Sequence, residues 1–366
     1  MAGLKSRPVR FRMPAEWEPH EATWLAWPHE RSDWPGKFAP IPWLYGDIVR
    51  CLSRVEKVRI LVNDKAAEQS ARRVLAKCGA NLNAVEFFHH RTNRSWARDY
   101  CPIFVRDSPE RAQRNATAAQ LDRARMPRRP VRSKGRLTIT NWIFNGWAKY
   151  DNWHDDNQIP EFVARQLKIP QVEPGIVLEG GSIDVNGAGL LLTTEECLLS
   201  ERVQVRNPGF SRADWERCFA KFLGVRRIIW LKNGIAGDDT HGHVDDTARF
   251  VDPETIVTVV ERDRSDANYE PLHENLALLT STGLRIVTLP MPAPIWFDGQ
   301  RLPASYANFY IANGMVLVPV FNDPMDRVAL NTLARLFPGR EVAGIYSRDL
   351  VLGLGTLHCM TMQQPA

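Results

Sequence analysis

The sequence predicts an α/β protein in which five ββαβ modules close into a ring, an α/β propeller. Three observations carry that expectation. A hairpin–helix–strand pattern recurs, with turns at Asn186-Gly187, Asp252-Pro253 and Asn313-Gly314 that fall 66 and 61 residues apart. A fixed period of that size marks a repeat architecture. Strand-like segments are left over at the two ends of the chain, and 366 residues accommodate five such modules. Closing the ring would also remove the exposed sheet edges of an open array.

In chain order, Ala22–Trp27 reads as an apolar strand, followed by a helix at Pro42–Val55, a strand at Lys57–Val62 and a helix at Lys65–Cys78. Asp99–Arg106 and Leu137–Phe144 read as a hairpin whose turn has been replaced by an insertion, with a helix at Ile159–Leu167. Ser182–Thr193 is strand, Asn-Gly turn, strand, and Asn-Gly is a strong hairpin signal. A helix at Ser211–Leu223 and a strand at Val225–Leu231 complete that unit. The next unit has a hairpin at Thr247–Val260, a helix at Ala267–Thr282 and a strand at Leu284–Leu289. The last has a hairpin at Tyr306–Val320, a helix at Pro324–Phe337 and a strand at Glu341–Tyr346. The remainder, Gly353–Met362, is expected to pair with the first strand. The chain 1–366 therefore reads as one catalytic domain.

Composition is that of a globular protein, 44% hydrophobic and 24% charged, which excludes disordered, collagen-like and coiled-coil classes. No apolar run approaches the roughly 20 residues that cross a bilayer, and the first residues have no apolar leader, so a cytoplasmic address is expected. The net charge of +5 is concentrated in the insertion at 107–136, where nine basic and three acidic residues leave −1 on the rest. This segment, rich in Arg, Ala and Pro, cannot bury a core and reads as a mobile loop. Because the basic charge lies off the folded body, a nucleic-acid-binding face is disfavoured.

The six cysteines show no CxxC pair, so neither a disulfide framework nor a thiolate metal site is expected. Cys51, Cys78, Cys197 and Cys218 lie in helical or apolar surroundings and read as packing; Cys101 reads as a structural strand residue. Each module carries a polar or glycine-rich segment before its hairpin: 96–99, 178–181, 241–245, 302–305 and 353–356. In a closed ring these segments share one axial end. Asp99, Glu179, His243, Asp245 and Cys359 should therefore meet. A thiolate is a nucleophile, a histidine serves as acid and base, and a carboxylate can orient the histidine. The extra carboxylates suit a planar cation with several N–H donors, and guanidinium is the obvious one. His243 and Asp245, two residues apart, would share a face of an extended segment, and Trp96 could stack on a cation.

Several long motifs then resemble a known family. Residues 13–24 (MPAEWEPHEATW), Trp96–Asp99, Leu178–Val185, Thr193–Leu199, Gly242–Asp245, Leu302–Tyr310 and the terminal His358-Cys359 are similar to agmatine deiminases and their bacterial peptidylarginine-deiminase relatives. The resemblance implies a pseudo-fivefold pentein fold and hydrolysis of agmatine to N-carbamoylputrescine and ammonia without metal or cofactor. It implies Cys359 as nucleophile, His243 as acid/base, Glu179 holding the histidine, and Asp99 and Asp245 gripping the guanidinium, with Trp96 and Asp239 also in the substrate set. The family's terminal Gly-Gly-Gly-Asn-Ile is Gly353-Leu354-Gly355-Thr356-Leu357 here, and His241 stands where an acidic residue is expected. Three other readings stand beside this one: arginine or peptidylarginine as substrate, a metallohydrolase using His241, His243 and Asp245, and a non-catalytic scaffold. Self-association into a homo-oligomer is left open.

Overall fold

A computed structural model describes residues 10–108 and 135–366. The expected mobile loop falls almost wholly on 109–134, outside the described residues.

Five sheets repeat one pattern, an antiparallel pair followed across a helix by a parallel strand. Asp184–Val185 pairs with Leu190–Thr194, which runs parallel to Arg227–Leu231 beyond the helix Arg212–Phe222. Ala248–Asp252 and Thr255–Val260 form the next pair, joined through Tyr269–Thr280 to Arg285–Pro290. Tyr310–Ala312 and Met315–Val320 follow, joined through Pro324–Leu336 to Glu341–Tyr346. Ile103–Ser108 and Leu137–Thr140 pair across the insertion, with Arg10–Arg12 and Gln171–Val172 at the two sheet edges. In the fifth sheet the C-terminal strand Met362–Pro365 lies antiparallel to His20–Ala26, which continues to Lys57–Val62 and Val85–His89. The two ends of the chain are thus stitched into one sheet.

Local chemistry sets the helix ends. Ser211 with Asp214, and Asp323 with Asp326, form reciprocal capping boxes that satisfy otherwise orphaned N–H groups. Asp64 accepts from the Ala67 N–H, and Gly79, at φ 76°, stops the same helix.

The structure corrects three readings and adds one element. The loop after Val185 is longer than a two-residue turn, because the Asn186 side chain accepts from both Ala188 N (2.8 Å) and Leu190 N (2.9 Å). The strand before the insertion starts only at Ile103; Ala97–Tyr100 is a helical turn and Cys101 caps it, buried outside any strand. His243 and Asp245 do not lie on an extended segment, since Val244–Asp246 is a tight 3-10 turn. A further hairpin, Ile295–Phe297 with Gln300–Leu302, turns at Asp298-Gly299, both at positive φ. That Asp-Gly pair is a turn signal the sequence already carried. No helix among the described residues is long and apolar enough to cross a membrane.

A buried chain of charges ties the modules together. Arg249 is fully buried, its Nε 2.5 Å from Asp184 and its Nη2 2.9 Å from Glu16. Glu16 also takes the Ile311 N–H (2.8 Å) and lies 2.8 Å from His358 Nε2 and 3.4 Å from Arg98. Removing one partner of such a set strands the others without solvent. Glu16→Ala is expected to cost about 3–5 kcal/mol, read as a lowered urea midpoint; a shift under about 1 kcal/mol would contradict this role.

Candidate active site

The single helical turns before the hairpins deliver the polar residues. Asp99 sits in the turn Ala97–Tyr100, which is locked to the far end of the chain by Arg98 N to Cys359 O (3.0 Å) and Arg98 Nε to His358 O (3.2 Å). Glu179 precedes the turn Gly180–Ser182, and Asp245 lies in Val244–Asp246.

The two glycines after Glu179 are there for space. A Cβ at Gly180 would lie 2.2 Å from the Arg98 carbonyl. At Gly181 it would lie 2.6 Å from His243 Nδ1, 2.9 Å from Asp99 Oδ1 and 3.1 Å from Asp245 Oδ2. One missing methyl therefore marks the spot where Asp99 converges with His243 and Asp245, side chains of two segments far apart in the chain.

All five expected residues are buried here. His243 lies between two carboxylates, Nδ1 3.7 Å from Asp99 and Nε2 3.7 Å from Glu179, and neither ring nitrogen makes a hydrogen bond. Asp99 accepts from Trp147 Nε1 (3.0 Å) and from Gly181 N (3.1 Å). Glu179 is held by Arg206 Nε at 3.1 Å, and Asp245 by His358 Nδ1 at 2.6 Å. The Cys359 thiol stands 3.9 Å from Asp245 Oδ2 and receives Asn308 Nδ2 at 3.2 Å.

Electrostatics follow from that geometry. Burial pushes Asp99 up to about 6, against the pull of His243 and with the push of Asp245. Burial also opposes the charge on Glu179, but Arg206 and His243 outweigh it and bring the carboxyl down to about 2. Asp245 is likewise lowered, burial being overcome by His358. For His243 burial works against the imidazolium, yet Asp99, Cys197 and Glu179 hold its pKa well above the ordinary value. Burial, then Asp245, Asp246 and Asp99, push the Cys359 thiol well up. By themselves, then, the protein's own groups favour a neutral thiol beside a charged imidazole.

A cavity of about 330 Å³ reaches Cys359 and Asp99. Trp96 and Trp147 line it, as do Asp239 and, from the additional hairpin, Phe297 and Gln300. Asp239 is already engaged, by Lys149 and by the Tyr150 hydroxyl (2.7 Å). Gly353 and Gly355 pack against Trp96, where a Cβ would come within 2.8 and 2.9 Å of the indole, and Leu354 between them takes φ 67°. Thr356 donates to Asn308 Oδ1 (2.7 Å).

Four residues at or beside the cavity escaped the sequence reading. Asn308 bridges Asp246, Thr356 and Cys359. Trp147 caps Asp99. Asp33 lines the cavity with its side chain 1% exposed; one oxygen pairs with Arg94 and the other makes no hydrogen bond. Cys197, read as packing, has its thiol against His243 and Glu179. Asn308 and Cys197 lie within motifs quoted above, yet their roles, like those of the other two, depend on contacts between distant segments. The His241/His243/Asp245 set does not assemble, because positive φ at His241 and Gly242 turns the chain and His241 faces Glu196 at 3.6 Å.

The profile of the Porphyromonas-type peptidyl-arginine deiminase family matches residues 12–365. The agmatine deiminases of Medicago truncatula and Pseudomonas aeruginosa are each 34% identical to the chain over 97% of it and 96% of their own length. Among solved structures, a cysteine-to-serine variant of the C. jejuni agmatine deiminase with substrate bound superposes with TM-score 0.84 at 28% identity, covering 100% of this chain and 99% of that one. A protein described as a putative arginine deiminase from Porphyromonas gingivalis superposes with TM-score 0.82 at 34% identity, over 97% and 98% of the two chains. A site of one thiol, one imidazole and three carboxylates on five repeated ββαβ sheets, matched end to end in this way, leads to one conclusion: the chain belongs to the Porphyromonas-type peptidyl-arginine deiminase family.

Proposed function

We propose that the protein is an agmatine deiminase, a hydrolase of linear amidines that converts agmatine to N-carbamoylputrescine and ammonia on the way from arginine to putrescine. The five sheets are read as a closed pseudo-fivefold propeller in a single catalytic domain, with the site at one end of its axis. The observation that carries the reading is the sandwich of His243 between Asp99 and Glu179, beside Asp245 and the Cys359 thiol.

Asp99 and Asp245 grip the guanidinium, which arrives charged because its pKa is about 12.5–13.8. That cation offsets the carboxylates that keep Cys359 neutral, so the thiol gives its proton to solvent as substrate binds. The thiolate attacks the guanidinium carbon, and His243, already protonated, gives its proton to the departing nitrogen, which leaves as ammonia. Glu179 keeps the imidazole oriented throughout. His243 then takes a proton from water as that water attacks the thiouronium carbon. Collapse of this adduct to the ureido product expels the Cys359 thiolate, and the hydroxyl proton passes to that sulfur to restore the thiol.

The far wall of the cavity supports agmatine in particular. The open oxygen of buried Asp33 suits the distal ammonium, and Trp96 and Trp147 flank the aliphatic stretch. Arg94 Nε on the same wall also makes no hydrogen bond. It would suit the carboxylate of free arginine, which is the second reading.

Ammonia release from agmatine, free arginine and a blocked arginyl peptide tests the assignment. Agmatine should be turned over best, and Cys359→Ala should reduce the rate to background; no turnover of any guanidine by the wild type would refute a deiminase. Asp33→Asn should raise KM for agmatine about 10- to 100-fold, the worth of one hydrogen bond to a charged group. The variant should leave butylguanidine nearly unaffected, and equal losses on both substrates would remove Asp33 from the ammonium site.

Burial pushes Asp33 up to about 7 and Asp99 up to about 6, whereas Glu179 and Asp245 are lowered. The first two must be ionised to hold a dication. Release of the Cys359 proton on binding already gives the agmatine kcat/KM one proton of slope, so the profile should steepen by two further protons as pH drops through that window. Asp33→Asn should make that limb shallower by one proton, and a wild-type profile that does not steepen down to about pH 5 would contradict both assignments.

A further inference from the structure

Cys197 has no part in the reaction above, yet its position is strongly specified. Thr194 Oγ1 accepts from Cys197 N (3.1 Å) and donates to the Gly242 carbonyl (2.5 Å). The turn carrying Cys197 is thereby pinned to the residue preceding His243. The ligand atoms of Cys197, His243 and Glu179 all lie within 4.8 Å of one another, and all three residues are buried. Both ring nitrogens of His243 and Oε2 of Glu179 make no hydrogen bond. Arg206 holds the other Glu179 oxygen at 3.1 Å, so the carboxylate is already oriented with Oε2 toward the imidazole.

We propose that Glu179, Cys197 and His243 form a binding site for a thiophilic divalent cation of the zinc class, and that its occupancy switches the enzyme off. One thiolate, one imidazole and one carboxylate are a three-ligand zinc set that leaves a fourth position open. Tetrahedral bonds of roughly 2.0–2.3 Å put neighbouring ligand atoms a little over 3 Å apart. His243 Nε2 and Glu179 Oε2, 3.7 Å apart, need only a small adjustment. The sulfur ligand excludes calcium and magnesium. Binding releases the thiol proton and the imidazolium proton to solvent, and the carboxylates of Asp99 and Asp245 offset the nearby charge of Arg206. The ion enters by the cavity, whose wall includes Asp99, itself 3.7 Å from His243.

A second cluster, Asp245, Asp246 and Cys359, is a poorer host. It contains no imidazole, and although Asp245 keeps one oxygen without a hydrogen bond, Asn308 occupies Asp246 Oδ1 and the Cys359 sulfur. The binding claim is independent of the reaction assigned above. Only the loss of activity rests on it, because an ion on His243 removes the acid and base.

The test is zinc titration of the chelator-treated, full-length protein against a competing zinc indicator, with bound metal counted after gel filtration. The wild type and Cys359→Ser should each bind one zinc per chain, and Cys197→Ser should bind at least a hundredfold more weakly. Cobalt(II) loaded into Cys359→Ser should give a thiolate charge-transfer band and tetrahedral d–d bands, a readout that does not depend on the folding of Cys197→Ser. Undiminished binding by Cys197→Ser, loss of binding in Cys359→Ser alone, or no cobalt–thiolate band would each overturn the site. Zinc bound as expected in a protein inactive on every guanidine would leave the site standing and count against the deiminase reading instead.

Discussion

A line of buried charged and hydrogen-bonding groups runs from the interior into the site: Asp184, Arg249, Glu16, His358, Asp245. Successive members lie 2.5, 2.9, 2.8 and 2.6 Å apart. Each is out of water, so each is tolerable only because its neighbours carry the opposite sign or a hydrogen bond. Burial by itself would neutralise Glu16, yet Arg249 and His358 hold it ionised, well below the usual carboxylate range. The charge at the last member, Asp245, is thus fixed by contacts that reach back to the first strands of the chain. Folding of the modules and ionisation of the site are one problem solved by one set of contacts.

The site is organised around a shortage of positive charge and of bulk. Gly181 leaves out a methyl where His243, Asp99 and Asp245 meet, and three carboxylates surround the imidazole and the thiol. Arg206 neutralises Glu179 and His358 neutralises Asp245, which leaves Asp99 as the carboxylate whose pKa is raised. Such surroundings disfavour a further negative charge on Cys359. A planar cation relieves that cost, so the same groups that recognise a guanidinium also prepare the nucleophile to attack it.

Most of the architecture is legible in the sequence because repeats announce themselves. Lys57–Val62, Lys65–Cys78, Ile159–Leu167 and Glu341–Tyr346 have the bounds their periodicity and flanking residues indicate. The five convergent residues stand out because they fall in or beside the equivalent segments that precede the hairpins, His243 and Asp245 sharing one of them. What escapes is of two kinds. Short helical turns such as Val244–Asp246 carry too few residues to show a period, so the spacing of His243 and Asp245 reads as an extended segment. Asp33, Trp147, Asn308 and Cys197 acquire their roles only through contacts between segments far apart in the chain, and the contact between Trp147 Nε1 and Asp99, for example, spans 48 residues. The Asp298-Gly299 hairpin is different, since its turn signal is plain in the sequence; it contributes Phe297 and Gln300 to the cavity wall.

The central claim is that residues from separate modules form one site for covalent chemistry at Cys359. Rapid acid quench of the enzyme during agmatine turnover, followed by peptide mass mapping, tests it most directly. The account predicts an adduct of agmatine less ammonia on the peptide that carries Cys359, appearing within the first turnover and gone when substrate is exhausted. Turnover with no adduct on any cysteine even when hydrolysis of the adduct is slowed, or an adduct on Cys197 in place of Cys359, would contradict it.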